Sequence, residues 1–175
     1  ATVVHIDPPG GDMWGSPATA ILNRNKIIVS IDLKSQEGLE RACALCAEAD
    51  ILIENFRPDK LKNLGLDFAQ MRIERPELIT LSLPGFASND PMRRGWRAFE
   101  SVVAASSGVF TDMGLNRVLM GVNPSFSPLP LSSAYAAQIG ASSVVLALQS
   151  RQLTGVGDQI EVPLAAAVME GLCYN

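Results

Sequence analysis

The sequence predicts an α/β domain with a mostly parallel β-sheet and flanking helices. Short segments rich in β-branched and aliphatic residues alternate with segments of helical periodicity, the order expected of a parallel sheet joined by crossover helices. The strand segments are dense in Ile, Leu and Val, as expected for strands covered on both faces. The chain has 175 residues, of which 47% are hydrophobic and 18% charged, which is enough for one domain with a sizeable core.

Three strands are predicted in the first part of the chain, at residues 2–6, 26–33 and 50–55. The first strand stops at a segment rich in proline and glycine, residues that weaken strand pairing. Ser35 precedes a helix over residues 36–48, and its hydroxyl can accept a hydrogen bond from a backbone N–H of the first helical turn. Ser35 is therefore predicted to be the N-cap of that helix.

The remaining elements continue the same alternation. Pro58 opens a short helix and Gly65 closes it, because proline suits the first helical position and glycine the position after the last turn. The segment TGVG at 154–157 is interpreted in the same way, as a helix-terminating turn rather than a phosphate cradle. The other elements are strands at 78–86 and 158–164, helices at 67–74, 98–108, 133–152 and from 165 onwards, and loops at 87–96 and 109–130.

Composition and charge narrow the classes of partner. The net charge is −4 and the pI is about 5.0, which argues against bulk nucleic-acid binding but leaves room for a local basic pocket. No unbroken apolar run is long enough to cross a bilayer, so no membrane span is expected. The most apolar stretch, 139–148, is interrupted by Gly140, Ser142 and Ser143. The N-terminus lacks the basic segment of a signal peptide, and it begins directly in a strand, so a fragment is expected.

Three cysteines are present, an odd and sparse set that suggests a reducing, cytoplasmic compartment rather than a disulfide scaffold. Cys43 and Cys46 form a C-x-x-C pair, a spacing that redox sites also use. They lie at helical spacing with Leu39 and Ala42, however, and we interpret them as buried packing residues of the helix over 36–48.

Polar and aromatic residues follow two of the predicted strands. In open parallel sheets, ligands bind beyond the carboxyl ends of the strands. Lys34 follows one strand, and Asn55, Phe56, Arg57 and Lys60 follow the next. Cations suit phosphate groups and an aromatic ring can stack on a base, so these residues suit a nucleotide-bearing ligand. The alternative is that these residues are solvated loop residues that bind no ligand, and the sequence pattern alone does not exclude this alternative.

Several common catalytic arrangements are missing from the sequence. His5 is the only histidine, and within a strand it is interpreted as a packed or hydrogen-bonded residue rather than a base. The chain has no spaced set of metal ligands and no G-x-S-x-G nucleophile motif. Its glycine-rich segment at 8–11 does not match a phosphate-binding loop. The sequence therefore predicts no metal site and no serine-histidine catalytic pair.

Four segments in a fixed order resemble the family III CoA-transferases, the CaiB/BaiF family. They are NRNKIIVSIDLKS, ADILIENFRPDKLKNLGLDF, RPELITLSLPGF and LALQSRQLTGVGDQIEVPL. The likeness covers nearly the whole chain, and ENFRP followed by LGLDF is its most specific part. Formyl-CoA and carnitine CoA-transferases belong to this family, and the α-methylacyl-CoA racemases share its fold.

The resemblance implies a Rossmann-like large domain over residues 1–175. This module would lack the family's first strand and helix and its C-terminal small domain. The resemblance also implies an interlaced homodimer in the cytoplasm that uses coenzyme A or an acyl-CoA as substrate, together with a small carboxylic acid. No metal, nucleic acid or membrane is implied.

The resemblance also assigns candidate binding residues. Arg97 and Glu100 lie in RAFE, which matches a CoA-contacting stretch, and Glu100 stands where the family has an acidic residue near the thioester. Asn63 stands where the family often has an arginine, with Lys62 beside it, so that a phosphate contact is weakened or shifted. The other CoA-contacting positions are Ile31, Asp32, Leu33, Lys34, Asn55, Phe56 and Arg57.

The nucleophile position departs from the family. Family transferases have an aspartate that attacks the thioester and forms a mixed anhydride, and the matching position here is Ser133. No carboxylate occurs between Asp112 and Asp158, so a small shift in alignment would not recover one. A serine hydroxyl needs a base, and the sequence shows none nearby. The racemases also use a histidine, and that position is Phe99. Ser133 is interpreted as the N-cap of the helix that follows it.

Three functions therefore remain open. The chain is expected to be part of a CoA-transferase family III enzyme that transfers CoA between carboxylic acids, with this module impaired by Ser133. Alternatively, it is a non-catalytic CoA-binding module of a tandem protein such as a dimethylsulfoniopropionate CoA-transferase/lyase. A purely structural role in a dimer is the third. A second copy of the family pattern in the full gene product would favour the tandem protein.

Overall fold

A computed structural model describes residues 1–11, 17–112, 121, 124 and 126–172. The chain divides into two compact units, each built around its own parallel sheet. The first unit comprises Ala1–Ala49 with Leu64–Leu66, and the second comprises Asp50–Asn63 with Asp67–Asn175.

The first unit contains a two-stranded parallel sheet. Its strands are β1 (Val3–Asp7) and β2 (Lys26–Ser30), and its helices are α1 (Pro17–Leu22) and α2 (Gln36–Glu48). The backbone N–H of Ile31 donates to the Asp7 carbonyl at 2.9 Å, which continues the ladder one residue past β2. Because parallel neighbours need a crossover connection, the chain between β1 and β2 passes through α1.

Helix α2 begins where the sequence predicts. The Ser35 hydroxyl oxygen accepts a hydrogen bond from the Gly38 backbone N–H at 3.0 Å, which confirms the predicted N-cap. The buried residues of the helix are Gly38, Ala42 and Cys46, and Cys43 beside them is half-buried. The two cysteines thus lie on or next to the packed face of α2, as the helical spacing predicted.

The second unit contains a three-stranded parallel sheet. Its strands are β3 (Ile51–Glu54), β4 (Ile79–Ser82) and β5 (Gln159–Glu161), in the order β3-β4-β5. The last residues of the three strands, Glu54, Ser82 and Glu161, are register partners. The central strand is fully covered, since Ile79, Thr80 and Leu81 are at most 3% exposed. The sheet therefore presents the three strand ends side by side.

Six helices of the second unit are described. Asp67 caps the second of them by accepting hydrogen bonds from the backbone N–H groups of Ala69 and Gln70 at 3.1 and 3.3 Å. The helices are α3 (Lys60–Asn63), α4 (Phe68–Glu74), α5 (Glu100–Ser106), α6 (Val109–Asp112), α7 (Leu131–Thr154) and α8 (Leu164–Met169).

Helix α7 packs on the sheet through small residues. Ala136 and Val144 join Leu81 of β4 in one buried cluster. Gly140 lies on the same face, and a β-carbon at that position would be 3.0 Å from Cδ2 of Leu81. The small side chains let the helix backbone approach β4 closely. The helix ends at Gly155, whose φ of 75° is the left-handed conformation predicted for the TGVG turn.

Some elements differ from the sequence-based prediction. The predicted strands are observed: β1 has the predicted length but is shifted by one residue, and the other four are shorter. Helix α1 was not predicted. The expected loop at 109–130 begins with a short helix, α6, while residues 113–120, 122, 123 and 125 of that loop lie outside the described residues. Helix α5 begins at Glu100 instead of 98, and α7 begins at Leu131 instead of 133.

Among the described residues, α7 is also long and apolar enough to cross a membrane, with a mean hydropathy of 1.4 over its most apolar window. The sequence-based expectation considered only unbroken apolar runs and missed this. In the second unit α7 packs against β4, β5 and α8, and 22% of that window is buried. Length and composition alone are weak evidence for a membrane span, because core helices pass the same test.

We expect Gly157→Ala to destabilise the second unit by about 1–3 kcal/mol, the usual penalty for overpacking. A β-carbon at Gly157 would lie 2.5 Å from the carbonyl oxygen of Glu77 and closer still to that of Leu78. Gly95→Ala is the matched control because a β-carbon there meets nothing within 4 Å. Urea unfolding measures the stability of both variants. Equal stability of the two would contradict the conclusion that the close backbone contact at Gly157, just before β5, requires glycine.

Candidate functional site

The carboxyl edge of the three-stranded sheet carries two acidic side chains with a serine between them. The Glu54 carboxylate accepts a hydrogen bond from the backbone N–H of Phe56 at 2.6 Å and is also hydrogen-bonded to the Ser82 side chain. On the other side, the Glu161 carboxylate accepts from the backbone N–H of Ser88 at 2.9 Å. Each carboxylate thus holds the start of a loop at the end of the sheet.

The pKa of Glu54 is raised above its ordinary value. Burial is the largest cause, because it removes solvation from the charged form, and the negative charge of Glu161 adds to it. The hydrogen bonds from Ser82 and Phe56 favour the charged carboxylate and act in the opposite direction.

The loop that follows β3 is bound to the loop over residues 87–97. The Arg57 guanidinium donates to the Gly95 carbonyl at 2.7 Å, and Arg94 forms an ion pair with Asp59 at 2.5 Å. Asp59 has a φ of 64°, in the left-handed region that a non-glycine residue rarely adopts. The two loops therefore form one connected surface of backbone turns and guanidinium groups.

An aromatic pair supports the second of these loops. The rings of Phe86 and Trp96 meet edge to face with their centroids 5.6 Å apart. The guanidinium of Arg93 lies over the Phe86 ring, 5.5 Å from its centroid. The exposed arginines of this loop suit a ligand that carries phosphate groups, whereas the Phe86 ring is buried and supports the loop.

The predicted binding residues of the second unit lie on or near this surface. Asn55 and Arg57 are exposed and Phe56 is half-buried, in the turn directly after β3. Arg97 lies in the loop that Arg57 contacts through Gly95. The structure thus brings together the turn after β3 and the loop that leads to Arg97, which are far apart in sequence.

Asn63 ends α3, and the neighbouring cation is already paired. Lys62 forms an ion pair with Asp67 at 2.9 Å, which raises the pKa of Lys62 and lowers that of Asp67, in each case chiefly through their hydrogen bond. Asp67 is also the N-cap of α4. The amino group of Lys62 therefore stabilises the turn between α3 and α4 and is not a free substitute for the missing arginine.

The predicted binding residues of the first unit follow β2. Ile31 is buried, Leu33 is half-buried, and Asp32 and Lys34 are exposed. The Asp32 carboxylate accepts from the Lys34 backbone N–H at 3.0 Å, and the Asp32 carbonyl accepts from the Ser35 hydroxyl at 2.9 Å. These bonds form a tight turn that ends in the N-cap of α2 and leaves the Lys34 side chain at the surface of the unit.

Glu100 binds the start of helix α7. One of its carboxylate oxygens accepts the Ser132 backbone N–H at 2.7 Å. The other accepts the backbone N–H of Ser133 at 3.0 Å and its hydroxyl at 2.5 Å. Glu100 is also the first residue of α5, so its negative charge lies at the N-terminal ends of two helices, where charge of that sign is favourable.

The prediction that Ser133 is an N-cap is wrong. Pro130 is the N-cap of α7 and makes no side-chain capping bond, and Ser133 is the third helical residue. The capping group comes instead from Glu100, on a different helix. Sequence reasoning seeks a cap within a few residues of the helix start, so it attributed to the local serine a function that a distant carboxylate performs.

The expectation that Ser133 has no base nearby is also corrected, since the Glu100 carboxylate accepts a hydrogen bond from the Ser133 hydroxyl. The resemblance had singled out Glu100, but no spacing rule joins residues separated by 33 positions. The same carboxylate accepts two backbone N–H groups at a helix N-terminus. Two of its three hydrogen bonds are to backbone N–H groups, so the contact acts foremost as a helix cap.

His5 is hydrogen-bonded, as predicted. Its Nε2 lies 3.0 Å from the Asp7 carboxylate, two residues along β1. Within the described part of the chain, no group of three or more His, Cys, Asp or Glu side chains is arranged to hold a metal ion.

Comparison with known proteins gives one consistent result. The family model for CoA-transferase family III matches residues 1–174. The chain is 65% identical over 175 residues to the CoA-transferase/lyase DddD of Marinomonas sp., covering 100% of this chain and 21% of that protein. It is 34% identical over 183 residues to the succinyl-CoA–L-malate CoA-transferase alpha subunit of Chloroflexus aurantiacus, covering 96% of this chain and 41% of that protein.

Solved structures give the same picture. A CAIB/BAIF family protein from Brucella suis superposes with a TM-score of 0.85 at 25% identity, covering 98% of this chain and 48% of that one. Rv3272 from Mycobacterium tuberculosis superposes with a TM-score of 0.80 at 26% identity, covering 97% and 47%. The chain thus spans less than half the length of each of these relatives.

We expect Glu100→Ala to destabilise the second unit by about 2–3 kcal/mol, because two backbone N–H groups of α7 lose a charged acceptor. Ser133→Ala is the matched control. It removes only the hydroxyl contact and should cost at most about 1 kcal/mol. Urea unfolding followed by circular dichroism measures both variants. Equal losses of unfolding free energy in the two variants would show that Glu100 stabilises the fold through the Ser133 hydroxyl and not by capping the backbone of α7.

Proposed function

The chain belongs to CoA-transferase family III, whose members act on acyl-CoA thioesters, and we propose that this module binds CoA but is impaired in acyl transfer. The observation that carries the proposal is that residue 133 is a serine. Its hydroxyl is hydrogen-bonded to Glu100, the carboxylate that caps the helix containing Ser133. On this proposal the module is a pseudoenzyme, and catalysis by the whole protein depends on another part of it.

Transfer through an anhydride needs a carboxylate nucleophile. In that reaction a carboxylate oxygen attacks the thioester carbonyl, the C–S bond breaks, and the CoA thiolate leaves an acyl–carboxyl anhydride behind. A serine hydroxyl would form an ester instead, and its proton would have to pass to Glu100. That carboxylate already accepts two backbone N–H groups as the cap of α7, and an ester is not the anhydride that this transfer needs. Ser133 is therefore a poor replacement for a nucleophilic carboxylate.

CoA binding is supported by the surface at the end of the three-stranded sheet. The Arg57 guanidinium has five N–H donors, and the bond to the Gly95 carbonyl uses one nitrogen, so it keeps donors for a phosphate. Phe56 beside it offers a ring to a planar base. In the first unit, Lys34 is an exposed cation at a strand end. Ile31, Asp32, Leu33, Asn55, Asn63 and Arg97 complete the proposed CoA-binding set.

A tandem arrangement is the second candidate for the whole protein. It is favoured by the 65% identity to a CoA-transferase/lyase of which this chain spans 21%. In such a protein, this module would keep the fold and the CoA-binding surface while a second module supplies the nucleophilic carboxylate. The substrates would be an acyl-CoA and a small carboxylic acid, and the assembly an interlaced cytoplasmic homodimer. A second copy of the family pattern in the full gene product would support this arrangement.

The first test is calorimetric titration of the purified protein with CoA and with acetyl-CoA. We expect saturable binding that weakens about tenfold in Lys34→Ala and in Arg57→Ala, because each removes a charge-assisted contact to phosphate. Arg41→Ala removes an exposed cation of α2, away from the strand ends, and should leave the affinity unchanged. Absence of binding by the folded protein would mean that the module keeps the fold without the ligand.

The second test is acyl transfer from acetyl-CoA to a panel of small carboxylic acids, followed by mass spectrometry of the thioesters formed. We expect no transfer by the unmodified chain. Ser133→Asp restores a carboxylate, but it places that group against Glu100, where like charges repel. We therefore expect it to give partial transfer at most, and only if CoA binds. Robust transfer by the unmodified chain would overturn the proposed impairment.

A further inference from the structure

The two carboxylates at the end of the three-stranded sheet each fix one of the loops that carry the proposed CoA surface. Glu54 ends β3, and its Oε2 accepts the backbone N–H of Phe56, two residues further on, at 2.6 Å. Glu161 ends β5, and its Oε1 accepts the backbone N–H of Ser88, in the loop after β4, at 2.9 Å. The register of the strands places Ser82 between them.

The turn after β3 has few other supports. Asn55 and Arg57 are exposed, and Phe56 is only half-buried. The turn is joined to the neighbouring loop by the Arg57 contact with the Gly95 carbonyl and by the ion pair of Arg94 with Asp59. The Glu54 carboxylate provides the bond at the start of the turn, directly from the rigid end of the sheet. The path of the backbone through residues 55–57 therefore depends on Glu54.

We propose that Glu54 is a positioning residue for CoA: its carboxylate sets the Asn55–Arg57 turn through the Phe56 N–H without touching the ligand. This inference rests on the proposed function, because the turn is part of the proposed CoA-binding surface. The bond is charge-assisted, and charge-assisted hydrogen bonds are shorter and stronger than neutral ones. Loss of the charge weakens the bond and loosens the turn.

The charge that holds the turn also lowers the stability of the fold. Burial and the charge of Glu161 on β5 raise the pKa of Glu54, while β4 contributes only the neutral hydroxyl of Ser82. With the folded-state pKa above the unfolded-state value, the folded state binds the Glu54 proton more tightly. Stability from this group is full below the unfolded-state pKa and is lost as the pH rises through the folded-state pKa. Ionised Glu54 therefore opposes folding while it orders the turn.

Glu54→Gln separates these two effects. Glutamine keeps the shape and one acceptor oxygen but carries no charge. Near pH 8 we expect the variant to be at least as stable as the unmodified protein, yet to bind CoA about fivefold more weakly, the difference between a charged and a neutral acceptor. Both differences should shrink as the pH is lowered through the raised pKa of Glu54, because Glu54 of the unmodified protein then takes up its proton. A purely structural role would change stability and affinity in the same direction.

Glu170→Gln is the matched control, because it makes the same change at an exposed carboxylate of the second unit that follows α8, outside the turns at the end of the sheet. Its stability and its CoA affinity near pH 8 should equal those of the unmodified protein. A loss of affinity equal to that of Glu54→Gln would overturn the assignment to Glu54.

The exchange rate of the Phe56 amide proton, measured by NMR without ligand, separates this inference from the proposed function. Faster exchange in Glu54→Gln than in the unmodified protein supports the inference that the Glu54 carboxylate restrains the turn. Unchanged exchange overturns that inference. If the unmodified protein binds no CoA, the proposed function fails and the positioning of CoA fails with it. If both proteins bind CoA equally well, only the role of Glu54 is overturned.

Discussion

The parallel register of β3, β4 and β5 determines where every loop of the proposed binding surface in the second unit begins. Because the three strands run in one direction and their last residues are register partners, Glu54, Ser82 and Glu161 lie side by side. Two of these side chains accept a backbone N–H from the loop that follows a strand. Hydrogen bonds from the ends of the sheet thereby restrain turns that are largely exposed. A shift of one residue in register would turn these side chains to the opposite face of the sheet.

The carboxylate of Glu100 also determines the surroundings of residue 133. Glu100 is the first residue of α5 and caps α7, and its contact with the Ser133 hydroxyl is part of that cap. The same carboxylate therefore holds the start of α7 and binds the Ser133 hydroxyl, so both contacts depend on its position. Residue 133 thus lies in the first turn of α7, where Glu100 accepts its backbone N–H and its hydroxyl, while the buried hydroxyl of Ser132 has no hydrogen-bond partner among the described residues.

Local signals in the sequence predicted local structure well. Ser35 caps α2 and Gly155 ends α7, because caps and turns depend on the conformation of a few neighbouring residues. The predictions were weaker where an element depends on distant contacts. The start of α7 was placed at Ser133, whereas the capping group is supplied by a residue on another helix.

The sequence by itself determined the fold class, the order of the strands, the family and the candidate residues at the strand ends, but it did not reveal α1 and α6. These follow from the period of apolar residues and from motifs whose chemistry is local. Only the tertiary structure decided which of those residues meet. It pairs Arg57 with the Gly95 loop, Lys62 with Asp67, and Ser133 with Glu100. The reason is physical: a hydrogen bond depends on distance and direction in space, and for residues far apart in sequence the packing of strands and helices sets both.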